Sequence, residues 1–291
     1  MTKLSRQLLN QAAGSNALGS FVLRTPLLVR PARGAADRYL GGETFEQAMD
    51  TIERLHADGF MTAIDVFGEA VSDPASVEQA VSDYVRVTRR LASVEPPVNV
   101  WVDLSNLGLD ISRELCMQSV ERILESFPDG SLLQIRAHDS TRTERILDVA
   151  LDLAGRGAPV MPTLQARLRR SAEDARRLIA AQLPVLLVKG APLEPPGVAY
   201  QWGEETDMAF IALAHQLHAG GVQLALGTHD PVLREALLAS LDNPPVEMLL
   251  GVRAQDGCDL LRRGRSVRIY VPFGRDWFRY WVRRLAEARG A

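Results

Sequence analysis

Cysteine is scarce in this chain: Cys116 and Cys258 are the only two in 291 residues, far apart and outside any CxxC or Cys/His spacing. That argues against a disulfide framework and against a zinc or other metal site, and makes a reducing cytoplasm the expected compartment. Long apolar runs are missing as well. No stretch approaches the roughly 18 uninterrupted apolar residues of a membrane span, so no integral membrane segment is expected. Met1 to Arg6 leads into neither a long apolar core nor a small-residue cleavage site, so a signal peptide is not expected either. There is little excess charge of one sign: a net charge of -3 and a pI near 6.0 give no general pull towards nucleic acid. The nearest basic cluster, Arg167 with Arg169 and Arg170, reads as the start of a helix. Neither a G-x-G-x-x-G turn after the first strand candidate nor a P-loop is present, so nothing recommends a Rossmann reading.

What is present is 46% hydrophobic and 24% charged residues, the balance of a soluble globular protein. Residues 1–40 mix short apolar pieces with Gly, Ser and Pro and read as an N-terminal arm or short helices outside the main domain, which would span 41–291. Thr44 with Gln47 three residues on predicts a capped, amphipathic covering helix running to His56. An alternation then sets in. Apolar strand candidates lie at 61–67, 98–104, 132–135, 160–164, 185–188, 222–226, 246–249 and 267–271, separated by periodic helical segments at 74–93, 112–127, 140–155, 172–181, 204–219 and 231–241. Eight such units predict an α/β fold with parallel strands closed into a (β/α)8 TIM-type barrel.

In such a barrel the chemistry sits where strands end. Those positions hold Asp65 to Glu69, Asp103, Arg136 with His138 and Asp139, Gln165, Lys189-Gly190-Ala191, Thr228-His229-Asp230, Glu247 and Tyr270. Singly, each has a plain alternative: Asp65 and Glu69 could cap the next helix, His229 could satisfy backbone groups, and Lys189 could reach solvent. Jointly they fit a site that grips a large polar ligand. After the last strand the Asp276-to-Glu287 run reads as a helix on which Tyr280, Arg283, Arg284 and Glu287 share a face. Adjacent guanidiniums beside phenols suit a bidentate grip on a carboxylate, while Arg283 and Glu287 at i, i+4 also fit an ordinary surface ion pair.

Taken together these motifs resemble the proline dehydrogenase family over roughly 41–290. They include Gly42-Glu43-Thr44, Leu164-Gln165-Ala166, Leu187-Val188-Lys189-Gly190-Ala191, Thr228-His229-Asp230, Glu247-Met248-Leu249 and the Tyr270-to-Glu287 segment. The resemblance implies a distorted barrel that holds FAD non-covalently and oxidises the C–N bond of proline, or of a proline-like secondary amine, to an imine by hydride transfer to the flavin. It implies flavin contacts at Gln165, Lys189, Gly190, Ala191, Thr228 and His229, a substrate carboxylate on Arg283 and Arg284, and Tyr270 and Tyr280 packed on the substrate ring. The family's electron acceptor, commonly membrane quinone, would bring peripheral contact at the inner face of a membrane, although no amphipathic anchor stands out.

Four positions depart from the family pattern. Asp103 stands where the family has lysine and Arg136 where it has aspartate, an exchange of sign between neighbouring strands that would leave a cross-strand ion pair of reversed polarity. A substrate carboxylate would then meet an anion at Asp103 in place of a cation. Leu186 replaces an arginine beside the flavin and Pro192 a tyrosine of the substrate wall. Three readings follow: a dehydrogenase for free proline, one for a different, larger or carrier-tethered amine, and a barrel that binds a ligand without catalysis.

Overall fold

Every run read as a strand is a strand in the computed structural model, which describes residue 34 and residues 36–67, 71–192, 194–274 and 280–281. They are β1 (Met61–Val66), β2 (Asn99–Val102), β3 (Leu133–Ile135), β4 (Val160–Gln165), β5 (Val185–Val188), β6 (Leu224–Gly227), β7 (Val246–Leu249) and β8 (Val267–Phe273). Each pairs in parallel with the next, and β8 closes on β1 with Tyr270 opposite Ala63. The result is a closed eight-stranded barrel.

Around it run α1 (Phe45–Ala57), α2 (Pro74–Leu91), α3 (Arg113–Leu124), α4 (Ser140–Gly155), α5 (Ser171–Ala180), α6 (Glu204–Ala219), α7 (Pro231–Ser240) and α8 (Ala254–Arg262). Their starts follow from local chemistry. The Thr44 side chain accepts from the Gln47 backbone N–H while the Gln47 side chain accepts from the Thr44 backbone, satisfying two otherwise unpaired donors. Asp73, Ser112, Asp139 and Asp230 cap α2, α3, α4 and α7 more simply, each side chain accepting from a backbone N–H of the first turn. Helix α8 escapes sequence reading because Arg253 before it makes no side-chain cap and Gly257 interrupts its apolar pattern. Gly257 is what lets the helix lie on Phe60, whose ring edge would be 3.3 Å from an added Cβ.

Alternation along the strands sorts the side chains. Ile64, Val100, Leu133, Leu164, Leu187, Leu226, Met248 and Val271 face outward and form one core with the helices. Such fully buried side chains each stabilise the fold by about 1.5–3 kcal/mol relative to exposure. Ala63, Trp101, Met161, Leu186, Ala225 and Tyr270 face inward and fill the barrel. Of the expected N-terminal arm, residues 1–33 lie outside the described residues; what is described ends in a short 3₁₀ turn, Asp37–Tyr39, with Tyr39 buried. No described helix is long and apolar enough to cross a membrane.

One residue expected at the barrel mouth lies deeper. Glu247 is opposite Arg268 in the β7–β8 ladder, two residues before the level of Leu249 and Tyr270. It accepts hydrogen bonds from Trp101 Nε1 at 3.1 Å and Gln134 Nε2 at 2.8 Å, and Arg268 Nη1 lies 3.9 Å away. Burial pushes its carboxyl above the ordinary range, against the pull of Arg268, Gln134 and Trp101. Between the ordinary and the raised value the folded protein therefore binds a proton that the unfolded chain does not, so this group's contribution to stability falls as pH rises across that interval. E247Q should remove that pH dependence at a smaller cost than E247A, because the new amide keeps hydrogen bonds, with the buried and otherwise unpartnered Gln134 Oε1 free to turn and accept from it, while Arg268 still loses its counter-charge. E247A should cost about 3 kcal/mol or more, since Arg268 is left unpaired in the interior. Urea denaturation of the three proteins between pH 5 and 8 measures both effects.

Candidate functional site

At the C-terminal mouth of the barrel, β1, β3 and β8 each send one polar side chain inward to a common point. Asp65 is 3% exposed and does not cap a helix; its Oδ2 accepts in short contacts from the Arg136 guanidinium and the Tyr270 hydroxyl. Arg136 Nη2 also donates to the Tyr270 oxygen at 3.1 Å. Burial works against the charge on Arg136, but Asp65, with Tyr270 and Asp103, more than restores it and the guanidinium stays protonated. Burial likewise raises the Asp65 carboxyl, opposed by Arg136 and Tyr270, and lifts the Tyr270 phenol well above its ordinary value.

The exchanged pair survives as an ion pair, but as the looser of the two that Arg136 makes. Arg136 Nε and Asp103 Oδ2 are 3.8 Å apart, too far for a hydrogen bond, and the principal partner of Arg136 is Asp65. Asp103 is occupied elsewhere. Its Oδ1 accepts from the Ser105 N–H at 2.9 Å and hydroxyl at 2.7 Å, and His138 Nε2 reaches its two oxygens at 3.1 and 2.9 Å. Burial would raise the Asp103 carboxyl, but His138, Arg136 and Ser105 pull it down to about 2. His138 is raised in turn, first by its hydrogen bond to Asp103, against burial. The anion expected at Asp103 is present, and it is held by the strand-end His138, whose role was not read from the sequence.

Aromatic rings wall this point. Trp101 meets Tyr270 edge-on at 5.5 Å between centroids, and the Arg136 guanidinium carbon is 5.4 Å from the Trp101 centroid. Tyr280 packs on Phe67 at 5.1 Å and on Tyr270 at 6.3 Å. Arg283, Arg284, Glu287 and Glu69 lie outside the described residues.

The ends of β4, β5 and β6 form the other half of the mouth. Gln165 Nε2 donates to the His138 carbonyl at 2.6 Å, which links the two halves. Two residues below it on the same face of β4, the buried Thr163 Oγ1 has no hydrogen-bond partner. Lys189 does not simply reach solvent: Nζ lies 2.6 Å from Asp207 and 3.0 Å from Asp230, which keep its pKa raised despite burial. Gly190 follows at φ 101°, and an added Cβ would sit 3.0 Å from Arg167 Cγ and Gln165 Oε1. Ala191 continues the exposed backbone. Thr228 accepts the Asp230 N–H at 3.1 Å, which leaves its hydroxyl proton to donate. His229 Nε2 accepts the Leu249 N–H at 3.0 Å, so its proton resides on Nδ1.

Arg167 is not a helix residue. It is 4% exposed, its Nη1 donates to the Pro192 carbonyl, and its guanidinium lies 4.6 Å from the Trp202 centroid. With the Leu168–Ala199 bridge it straps the loop after β5 across the end of β4. Pro192, replacing the tyrosine expected from the resemblance, is held in that strap.

Comparison with known proteins agrees with the reading of motifs. A family model described as proline dehydrogenase matches residues 48–291. Proline dehydrogenase 2 of Bacillus subtilis (strain 168) is 28% identical over 265 residues, covering 88% of this chain and 87% of that protein. The proline dehydrogenase of Deinococcus radiodurans is 31% identical over 265 residues, covering 87% and 86%. Among solved structures, proline utilization A from Bdellovibrio bacteriovorus inactivated by N-propargylglycine superposes with a TM-score of 0.78 at 19% identity, over 88% of this chain and 32% of that one. The chain thus spans about a third of that structure, and the likeness is one of fold.

Gly190 gives a local test of this half of the mouth. Gly190→Ala places a side chain where the backbone conformation and the 3.0 Å approaches oppose it, and should lower folding stability by on the order of 1–3 kcal/mol, read by urea denaturation.

Proposed function

The chain belongs to the proline dehydrogenase family, and on that premise we propose that it is a flavoenzyme that oxidises proline, with FAD as its cofactor. The observation that carries the reading is the pairing of two half-sites at one barrel mouth. One is a protonated guanidinium set among aromatic rings; the other is a crescent of donors along β4 to β6.

The crescent fits a flavin nucleotide. It supplies the Gln165 amide, the Lys189 ammonium, backbone at Gly190, free of a crowding Cβ, and at Ala191, and the Thr228 and His229 side chains; the unpaired Thr163 hydroxyl adds a donor below. When bound, FAD supplies a two-electron acceptor for the hydride on the carbon beside the amine nitrogen. The protein's own part is orientation. Arg136, fixed by Asp65 and Tyr270, offers positive charge to the substrate carboxylate, and Arg283 and Arg284 are proposed to complete that grip. Tyr270, Tyr280 and Trp101 pack on the saturated ring and exclude water, which holds one face of the ring towards the acceptor. Leu186, buried on β5, supplies no charge to the cofactor ring, so a reduced anionic flavin gains no stabilisation from that strand. Electrons would pass on to an acceptor such as quinone, at a membrane surface that the protein touches without spanning.

Anaerobic titration of the purified protein with L-proline, followed by its visible spectrum, tests the reading. A yellow protein that bleaches with millimolar proline is the expected result. A yellow protein that dithionite bleaches and proline does not would make the substrate a different amine, and a colourless protein that acquires no colour with added FAD would end the flavoenzyme reading.

A further inference from the structure

We propose that His138 is a positioning residue: by pairing with Asp103 it keeps that carboxylate off Arg136 and reserves the guanidinium for the carboxylate of the substrate. The proposal rests on the reading of the mouth as the site of proline oxidation, and concerns how that site selects a ring that bears a carboxylate.

The count of charges around Arg136 makes the case. Two carboxylates approach it, Asp65 at Nη2 and Asp103 at 3.8 Å from Nε. Nη1 has no hydrogen-bond partner among the described residues, and the side chain keeps 34% exposure, so one edge faces the mouth. Left to themselves, two anions and one cation make the point net negative, and a substrate carboxylate would be repelled. His138 adds the missing positive charge on the far side of Asp103, with Nε2 at 2.9 Å from Oδ2. Ser105 fills the other oxygen with two hydrogen bonds. Saturated in this way, Asp103 has little to gain by closing the last ångström to Arg136.

The remaining charged groups near His138 are few. Asp139, which caps α4, has Oδ2 3.8 Å from Nδ1; Arg142, one turn into α4, pairs with that same carboxylate at 2.6 Å and with Asp110 at 2.8 Å, so their effects on the ring oppose one another. Asp103 decides the balance, and His138 titrates above the ordinary histidine range. The sign follows: the added charge is complete below that raised value and is lost as pH rises through it. Binding of a carboxylate should weaken over the same interval, while binding of the same ring without a carboxylate should not.

Calorimetry on the flavin-loaded protein between pH 6 and 9 reads this directly, with cyclopentanecarboxylate as the ring that keeps the carboxylate and uncharged cyclopentanol as the ring that lacks it. For the unmodified protein, affinity for cyclopentanecarboxylate should fall roughly tenfold across the histidine titration, the attenuated effect of one charge in a partly solvated site. His138→Gln should be weak at every pH, and the double variant Asp103→Asn/His138→Gln should regain affinity and lose the pH dependence, because the anion and its counter-charge leave together. In steady state with L-proline the single variant should raise KM about tenfold with kcat little changed. Should His138→Gln bind cyclopentanecarboxylate like the unmodified protein, or the double variant stay as weak as the single one, the positioning role is wrong while proline oxidation stands. If L-proline does not bleach the unmodified protein, the reading of the reaction fails first and this proposal with it. Asp103→Asn alone keeps the test open if the single histidine variant does not fold: with the anion gone, its affinity for the carboxylate above the histidine titration should exceed that of the unmodified protein, and an affinity there no higher than the unmodified protein's would overturn the proposal.

Discussion

The contact on which the mouth depends is the buried meeting of Asp65 and Arg136 under the Tyr270 hydroxyl. It joins the first, third and last strands at one point, and so fixes where the guanidinium sits relative to the aromatic wall. Stability alone does not account for it. Taking two charges out of water costs several kcal/mol per ion, and a well-packed apolar substitute for such a pair is often neutral or better, whereas removal of one partner costs about 3–5 kcal/mol. A charge that is expensive to bury and still partly exposed is what the proposed grip on a carboxylate requires.

Trp101 separates this charged level from a second one. Its ring lies beneath the Arg136 guanidinium, and its Nε1 donates downward to Glu247. Around it, Ala63, Met161, Leu186, Ala225 and Tyr270 make an apolar waist in the barrel. Two ionic clusters, one of Asp65, Arg136, Asp103 and His138 and one of Glu247 and Arg268, are thereby kept from merging into a single wet channel through the barrel. The low dielectric of the waist strengthens the field of each cluster on its own side.

Much of this was legible in the sequence. Eight apolar runs of four to seven residues punctuated by capped helices leave few arrangements other than a closed parallel barrel, and Thr44-x-x-Gln47, Asp73-Pro74 and Asp230-Pro231 mark helix starts by chemistry that needs no tertiary context. Motif order gave the family and placed Gln165, Lys189, Thr228 and His229 at the mouth. What the sequence could not give was depth and partnership. Residues 247 and 249 both point inward by alternation, and only the stagger of the strands decides that Glu247 lies below the waist. The pairing of His138 with Asp103 spans 35 residues and joins two loops, so no local pattern announces it. Arg167 shows the same limit: beside Arg169 and Arg170 it looks like helix surface, and only the return of the loop at Tyr200 and Trp202 makes it buried. Arg283, Arg284 and Glu287 rest on helical spacing and on the resemblance, and lie outside the described residues.

The closure of β8 on β1 has a consequence for how the protein is made. Asp65 and Tyr270 are separated by 205 residues, and Met61 to Val66 find their second neighbouring strand only in Arg268 to Phe273. A ribosome adding about 5–20 residues per second exposes β1 many seconds before β8 exists. Through that interval one edge of β1 stays open, and Asp65 keeps its water until the last strand arrives to replace it. Synthesis therefore runs through an unclosed barrel whose unpaired edge can add any extended segment within reach, and the arrival of β8 ends that exposure.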